Sequence, residues 1–583
     1  MLRRSLLAAS VLLPLLPARA ADPTRGDEPE SGMRARIERY QADHEALARL
    51  HDLELSPARR ARLREFHAGR LAELARVDFE RLDQAGRVDY VLLRNHLEHE
   101  LKRLEVEAAR FEEAAPLLAF APAIVALVDA RRGMEPVDAE TAAGALVELK
   151  RGIERVREEI EAFEKSEQEE GGDPFVARAV ANRAAGTLDD LRGALREWFR
   201  YHDGYDPLFS WWAREPYGEA EKALGDLAAL VRKELVGIEE SDSDAIVGDP
   251  IGREALLAEL AYELIPYTPE ELIAIAEREY AWCEQQMLAA ARELGCGDDW
   301  HAAMEHVKDQ HVAPGEQPAL IRELALEAVR FLEERELVTI PPLCAETWRM
   351  AMMSPARQKV NPFFLGGETI IVSFPTDAMS HEDKRMSLRS NNVHFCRATV
   401  QHELIPGHHL QGFMARRHRP YRGLFRTPFL VEGWALWWEL HLWDLGFARG
   451  PEDRLGMLFW RAHRCARIIT SLGFHLGTME TDEMIEHLVE RVGHERSSAE
   501  GEVRRWVRGD YGPLYQCAYL LGGLQLRALH AELVGGGTMS EREFHDAVLR
   551  EGPIPIELVR ASLTGAAITR DHRASWRFQG DPQ

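Results

Sequence analysis

Apolar residues recur at three- and four-residue intervals along most of the chain, the spacing that lines one face of an α-helix. In "LDDLRGALREWF", Leu188, Leu191, Leu195, Trp198 and Phe199 fall on one side. The same pattern runs through "RARIERYQADHEALARL", "GALVELKRGIERVREEIEAFEK", "PEELIAIAEREYAWCEQQMLAAARELG" and "LIRELALEAVRFLEERE". Thr268, with Glu271 three residues on, reads as a capping box opening the third of these, because each side chain can satisfy the other's free backbone N–H. One stretch departs from the helical period. "ETIIVSFP", residues 368–375, is β-branched, bounded by Gly-Gly and Pro, and predicts a strand. The predicted fold is therefore mostly α, with a minor β element just ahead of an unusual histidine motif. Residues 21–340 hold long helices without a chemical motif, and residues 341–583 collect the His, Trp and Gly punctuation that sites need. The expectation is an N-terminal helical lobe and a catalytic helical lobe, divided near "TIPPLC".

Composition narrows the class. The 583 residues are 45% hydrophobic and 29% charged, which suits a large buried core and excludes global disorder. The first residues, "MLRRSLLAASVLLPLLPARA", have a basic start, an apolar stretch from Leu6 to Leu16 and an A-x-A site at Ala18–Ala20. They read as a cleavable signal peptide, residues 1–20, cut after Ala20, so a periplasmic or secreted protein is expected. Residues 22–34 are polar and predict a mobile mature N-terminus. No later segment is apolar enough to span a bilayer, and no Cys adjoins the cleavage site to carry a lipid anchor. The formal charge is −25, becoming −28 when Arg3, Arg4 and Arg19 leave with the signal. Phosphate backbones and anionic lipid would repel such a chain, which argues against nucleic-acid and membrane-surface roles. An acidic field mildly favours cationic or neutral substrates. The six cysteines show no C-x-x-C pair, which excludes a cysteine zinc cluster; Cys283 and Cys296 could pair in an oxidising compartment.

The chemistry concentrates in "QHELIPGHHLQ", residues 401–411. In an ordinary H-E-x-x-H motif the two His lie one helical turn apart and share a zinc ion, with the Glu facing the metal's water. Here Pro406 occupies the second His position, and the next histidines are His408 and His409. On a regular helix His408 would sit about 120° round from His402 and roughly 9 Å along the axis, too far to share an ion. Pro406 removes a helical hydrogen bond and clashes with the carbonyl of His402, while Gly407 tolerates unusual backbone angles. A break at Pro-Gly, with Pro406 suited to start a new helix, would bring His408 to the vacated place. If only one residue loops out, His409 would face the metal instead. Glu432 in "PFLVEGWALWWELHLW" is a carboxylate in an apolar helix, costly to bury unless paired or metal-bound. It is the candidate third ligand, and Glu439, two turns on, could orient a ligand His.

These residues resemble a known family. "HELIPGHHLQ", "VEGWALWWE", "RCARIITSLGFH" and "QCAYLLGG" occur in the order and spacing of the bacterial family called domain of unknown function 885. That family resembles the helical gluzincin peptidases, including angiotensin-converting enzyme, the thimet-type oligopeptidases and carboxypeptidase Taq, which enclose a deep cleft between two helical lobes. The resemblance implies zinc on His402, His408 and Glu432, with Glu403 as general base. Dipeptidyl peptidase III offers a precedent for an insertion within the motif. "AYLLGG" is similar to a Tyr-x-x-Gly stretch in carboxypeptidase Taq, which implies that Tyr519 faces the site. Ser471 stands where relatives usually have Asp.

The expected function is an exported zinc metallopeptidase acting on short peptides. Glu403 would move the proton of a metal-activated water, and Tyr519 or His475 would donate to the oxyanion. Arg464, Arg467 and His475 share a spacing compatible with one helical face and could bind a peptide's terminal carboxylate. The alternatives are a zinc amidohydrolase on a non-peptide substrate, and a catalytically silent peptide-binding protein.

Overall fold

The computed structural model describes residues 32–170, 174–239, 245–358, 361–509 and 511–579. The signal segment 1–20 and residues 22–31 of the polar stretch lie outside the described residues. The rest of that stretch is already ordered: helix Met33–Leu50 begins with Met33 fully buried. Among the described residues no helix is long and apolar enough to cross a membrane.

The molecule is mostly helical, as the periodicity predicts. Arg178–His202 buries Leu188, Leu191, Leu195, Trp198 and Phe199, the predicted face. Burying each such side chain is worth about 1.5–3 kcal/mol, which is how an amphipathic segment outweighs the entropy of ordering it. Helix Pro269–Glu293 opens with the predicted capping box: Thr268 Oγ1 accepts from Glu271 N–H at 3.3 Å, and the Glu271 carboxylate accepts from Thr268 N–H at 2.8 Å.

The β element is smaller than predicted. Only Thr369–Val372 is a strand, and it pairs in parallel with Arg349–Met352, which the sequence pattern does not mark.

The packing does not divide at residue 340. One core spans Met33 to Phe578, drawing helices from both ends of the chain. A second core, from Leu53 and Ala114 to Val236, is formed by the long helices of the intervening segment. A buried ion network joins the early and late chain, with Arg422 held between Asp89, 2.8 Å away, and Glu551. Removing one partner of such a network costs about 3–5 kcal/mol.

Two helices have no exposed face over most of their length. Pro428–Asp444 is buried from Phe429 to Leu442, and Pro451–His475 from Leu455 to His475. A helix buried all round belongs in the middle of a protein; both run beside the histidine motif, and the second carries Arg461, Arg464 and Arg467 inside with it. All six cysteines are free thiols, so the Cys283–Cys296 bridge is not formed.

Candidate metal centre and the cavity around it

Helix Val393–Glu403 starts under Asn392, whose side-chain oxygen accepts from the N–H groups of His394 and Phe395, both at 3.0 Å. It ends at Glu403. Leu404 leaves helical geometry at φ −108°, ψ −105°, and the chain turns through Ile405, Pro406 and Gly407. The new helix runs His408–Ala415, so Gly407 caps it and Pro406 does not begin it. Gly407 is required by contact: a Cβ there would sit 1.8 Å from the carbonyl oxygen of His402. The turn is fastened from outside, where Trp434 Nε1–H donates to the Pro406 carbonyl at 2.8 Å.

The break brings the two imidazoles together. His402 and His408 have ring centroids 4.8 Å apart and nearly perpendicular planes. Both aim Nε2 at one oxygen of Glu432, His408 at 3.1 Å and His402 at 3.6 Å. These three ligand atoms all lie within 4.8 Å of one another. Glu439, two turns beyond Glu432, meets His402 Nδ1 at 2.7 Å. An imidazole that donates Nδ1–H to Glu439 presents a bare lone pair from Nε2, facing a carboxylate oxygen. That opposition needs a cation between the two atoms, a proton or a metal. The chain alone answers with a proton: burial works against His402 charging, yet Glu432 and Glu439 hold its pKa up at about 9. Glu432 Oε2 is buried and makes no aligned hydrogen bond. Two His and one Glu, with a carboxylate orienting the first His, are a donor set suited to a zinc-type ion.

Close backbone approach places Glu432. Helix Tyr515–His530 packs on Pro428–Asp444 through Gly433 and Gly522; a Cβ on Gly522 would lie 1.9 Å from the Phe429 carbonyl oxygen. Tyr515 then donates its hydroxyl to the second Glu432 oxygen, Oε1. Sequence reasoning missed Tyr515, although it stands one helical turn before Tyr519. Tyr519 stacks on His402 at 6.1 Å, with the Arg464 and Arg467 guanidinium groups over its ring at 4.6 and 4.3 Å.

A cavity of about 420 Å³ opens on this cluster. Glu403, His402, His408, Glu432, Tyr515 and Tyr519 line it. Glu403 is nearly buried, and desolvation raises its pKa above the ordinary carboxylate value. The segment before the short strand lies against it: Gly367 N–H donates to the Glu403 carbonyl at 3.1 Å, and a Cβ on Gly366 would overlap the Glu403 carboxylate.

Six arginines and four glutamates line the cavity, so the local charge runs opposite to that of the whole chain. Arg467 and Arg505 share Glu502 at 2.6 and 3.1 Å, and Arg467 Nη1 is buried without a partner. The expectation of cationic substrates from net charge does not carry over to this pocket.

Two sequence-based readings change, those of His475 and His409. His475 is not at the site. It lies eleven residues after Arg464, about 16 Å further along the same helix, outside the cavity lining. Burial, and then Arg110, lower its pKa to about 4. His409 turns away from the His402, His408 and Glu432 cluster and meets the Cys344 carbonyl at 2.8 Å. Ser471 lies against Cys517, 3.8 Å away, inside the core.

Comparison with known proteins bears on the fold. No curated protein matches the chain in sequence. A candidate lipoprotein of unknown function from Shewanella oneidensis has a similar structure, with TM-score 0.66 at 16% identity, covering 91% of this chain and 99% of that one. Another, from Colwellia psychrerythraea, matches with TM-score 0.55 at 15% identity, covering 92% and 98%. The model of the family described as "Bacterial protein of unknown function (DUF885)" matches residues 29–563. The chain therefore belongs to the DUF885 family.

Proposed function

We propose that this protein is an exported zinc metallopeptidase of gluzincin type that hydrolyses short peptides. One observation carries the reading: two imidazoles and an orphaned carboxylate oxygen converge at the wall of a cavity, with a raised-pKa glutamate on the residue beside the first His. A divalent ion held by His402, His408 and Glu432 would bring a water's pKa to roughly 7 and polarise the scissile carbonyl.

The chain's own groups supply the rest. Glu403 takes a proton from the attacking water as its oxygen bonds to the carbonyl carbon. It returns that proton to the leaving nitrogen as the C–N bond breaks. Its desolvated carboxylate is a better proton carrier than an ordinary one, because its affinity lies nearer neutrality. Burial raises the pKa of Tyr519, which keeps its hydroxyl protonated as a donor for the oxyanion. The Arg467–Arg505 pair offers a place for a substrate carboxylate, which favours peptides with a free terminus over neutral amides. Export rests on the leader-like residues 1–20, and the two structural relatives, candidate lipoproteins, agree with it.

The test is a mixed peptide library digested by wild type and Glu403→Gln, read by mass spectrometry beside metal analysis. The variant is expected to keep its zinc and to lose activity about 10²–10⁴-fold, the usual worth of a positioned base. Unchanged turnover in Glu403→Gln would reject Glu403 as the base.

A further inference from the structure

The two helices that carry Glu432, Tyr515 and Tyr519 bring a second set of ligand-type side chains together at their far ends. His441 lies nine residues beyond Glu432, about 13 Å along the same helix. His530 closes the Tyr515–His530 helix, and Glu541 opens helix Glu541–Glu551. We propose that His441, His530 and Glu541 form a second site for a divalent transition-metal ion of zinc type, with a structural role. It stands independently of the centre at His402.

The geometry parallels that of the first cluster. His530 Nε2 lies 2.9 Å from Glu541 Oε2 and 3.0 Å from Oε1, and His441 Nε2 lies 3.2 Å from the same Oε2. Ligand atoms around a tetrahedral ion with bonds of about 2.0–2.1 Å stand roughly 3.3 Å apart. His441 is only 5% exposed, and its Nε2 makes no aligned hydrogen bond, so a buried ring nitrogen points at the carboxylate unsatisfied. No arginine or lysine forms an ion pair with Glu541 among the described residues.

The wall of the site is built to hold its ligands rather than to compete for them. Trp437 stacks on His441 at 4.6 Å and 19°. Trp437 Nε1–H donates to His545 Nε2 at 2.9 Å, which leaves His545 Nδ1–H to donate to the Leu337 carbonyl at 2.8 Å. Both nitrogens of His545 are thereby used, and it offers no ligand. Glu541 and His530 keep some exposure, which gives an ion a path and leaves a coordination position to water.

A third cluster, His44, His67 and Glu100, differs in the charge on its carboxylate and in its spacing, with His67 Nε2 3.9 Å from Glu100. Arg103 already neutralises Glu100 at 2.7 Å, which removes the need for a cation there.

An ion at His441, His530 and Glu541 would tie three helices together, two of them the pair that positions Glu432 beside Tyr515. Metal binding at a site formed only on folding adds directly to folding stability.

The test uses the full chain, stripped of metal and titrated with zinc alone, counting bound ions by calorimetry and native mass spectrometry. Two ions per chain are expected for wild type, one for Glu541→Gln, one for His408→Ala and none for the double variant. Zinc should also raise the Tm of His408→Ala but not that of the double variant. Two ions retained in Glu541→Gln, or a single wild-type ion that His408→Ala abolishes, would overturn the proposal. A single ion lost in Glu541→Gln and kept in His408→Ala would uphold it while removing the first centre. If circular dichroism shows Glu541→Gln to be misfolded, His530→Gln replaces it, and a count that stays at two there overturns the proposal equally.

Discussion

Glu432 is held by both of its oxygens, one facing the two imidazoles and the other taking the Tyr515 hydroxyl. The two tyrosines of the Tyr515–His530 helix therefore have separable roles. Tyr515→Phe frees one oxygen of the carboxylate proposed as a metal ligand, and losing such an outer contact typically costs about 10–100-fold in metal affinity. Zinc competition against a chelator reads this. Tyr519→Phe should leave that affinity unchanged and lower turnover about 10²–10³-fold, the cost of one oxyanion donor. Equal zinc affinity in Tyr515→Phe would show that its hydroxyl does not orient Glu432. Much of this cluster is legible in the sequence, because Pro406 and Gly407 mark a break and two extra residues are what realignment needs. Tyr515 was equally legible at four residues from Tyr519. His475 shows the limit: helical periodicity places it on the face of Arg464 but says nothing of height along the axis.

At the scale of elements, the close contact between Pro428–Asp444 and Tyr515–His530 decides whether Glu432 reaches the histidines. Gly522→Ala would press a methyl group into the Phe429 carbonyl. Overpacking of this kind costs about 1–3 kcal/mol. Since the displaced helix carries Glu432, Gly522→Ala should also weaken zinc binding, seen as a lower Tm together with a smaller rise on adding zinc. A variant as stable and as zinc-responsive as wild type would mean that the contact has slack. The glycines were visible in the sequence, but their function was not, because a close approach belongs to two segments ninety residues apart. For the same reason strand Arg349–Met352 escaped notice: its residues carry no β signal, and its partner supplies the pairing. The amphipathic helices were readable because their signal is local.

At the scale of the whole molecule, Glu263 links the early chain to the cap of the Glu432 helix. It accepts from the hydroxyl of Thr427, the N-cap of Pro428–Asp444. Full burial pushes its carboxyl up to about 8, with the Thr427 hydrogen bond opposing. The folded chain thus binds a proton that the unfolded chain, near 4.5, releases. Stability from this group is complete below the unfolded value and falls as pH rises through about 8. Glu263→Gln should flatten that loss, raising Tm at pH 9 more than at pH 5 in thermal scans. A uniform shift at both pH values would show that Glu263 is not the group responsible. The first helices of the motif-poor N-terminal stretch pack into the same core as the histidine motif, a pairing that local periodicity does not reveal.

The most direct test of the central claim, that three side chains brought together by a broken helix share one ion, is an anomalous difference map at the zinc edge from zinc-soaked crystals. The expected result is a peak at about 2.0–2.1 Å from His402 Nε2, His408 Nε2 and a Glu432 oxygen. Density without a peak at that point, or a peak bonded to His409 instead, would contradict it.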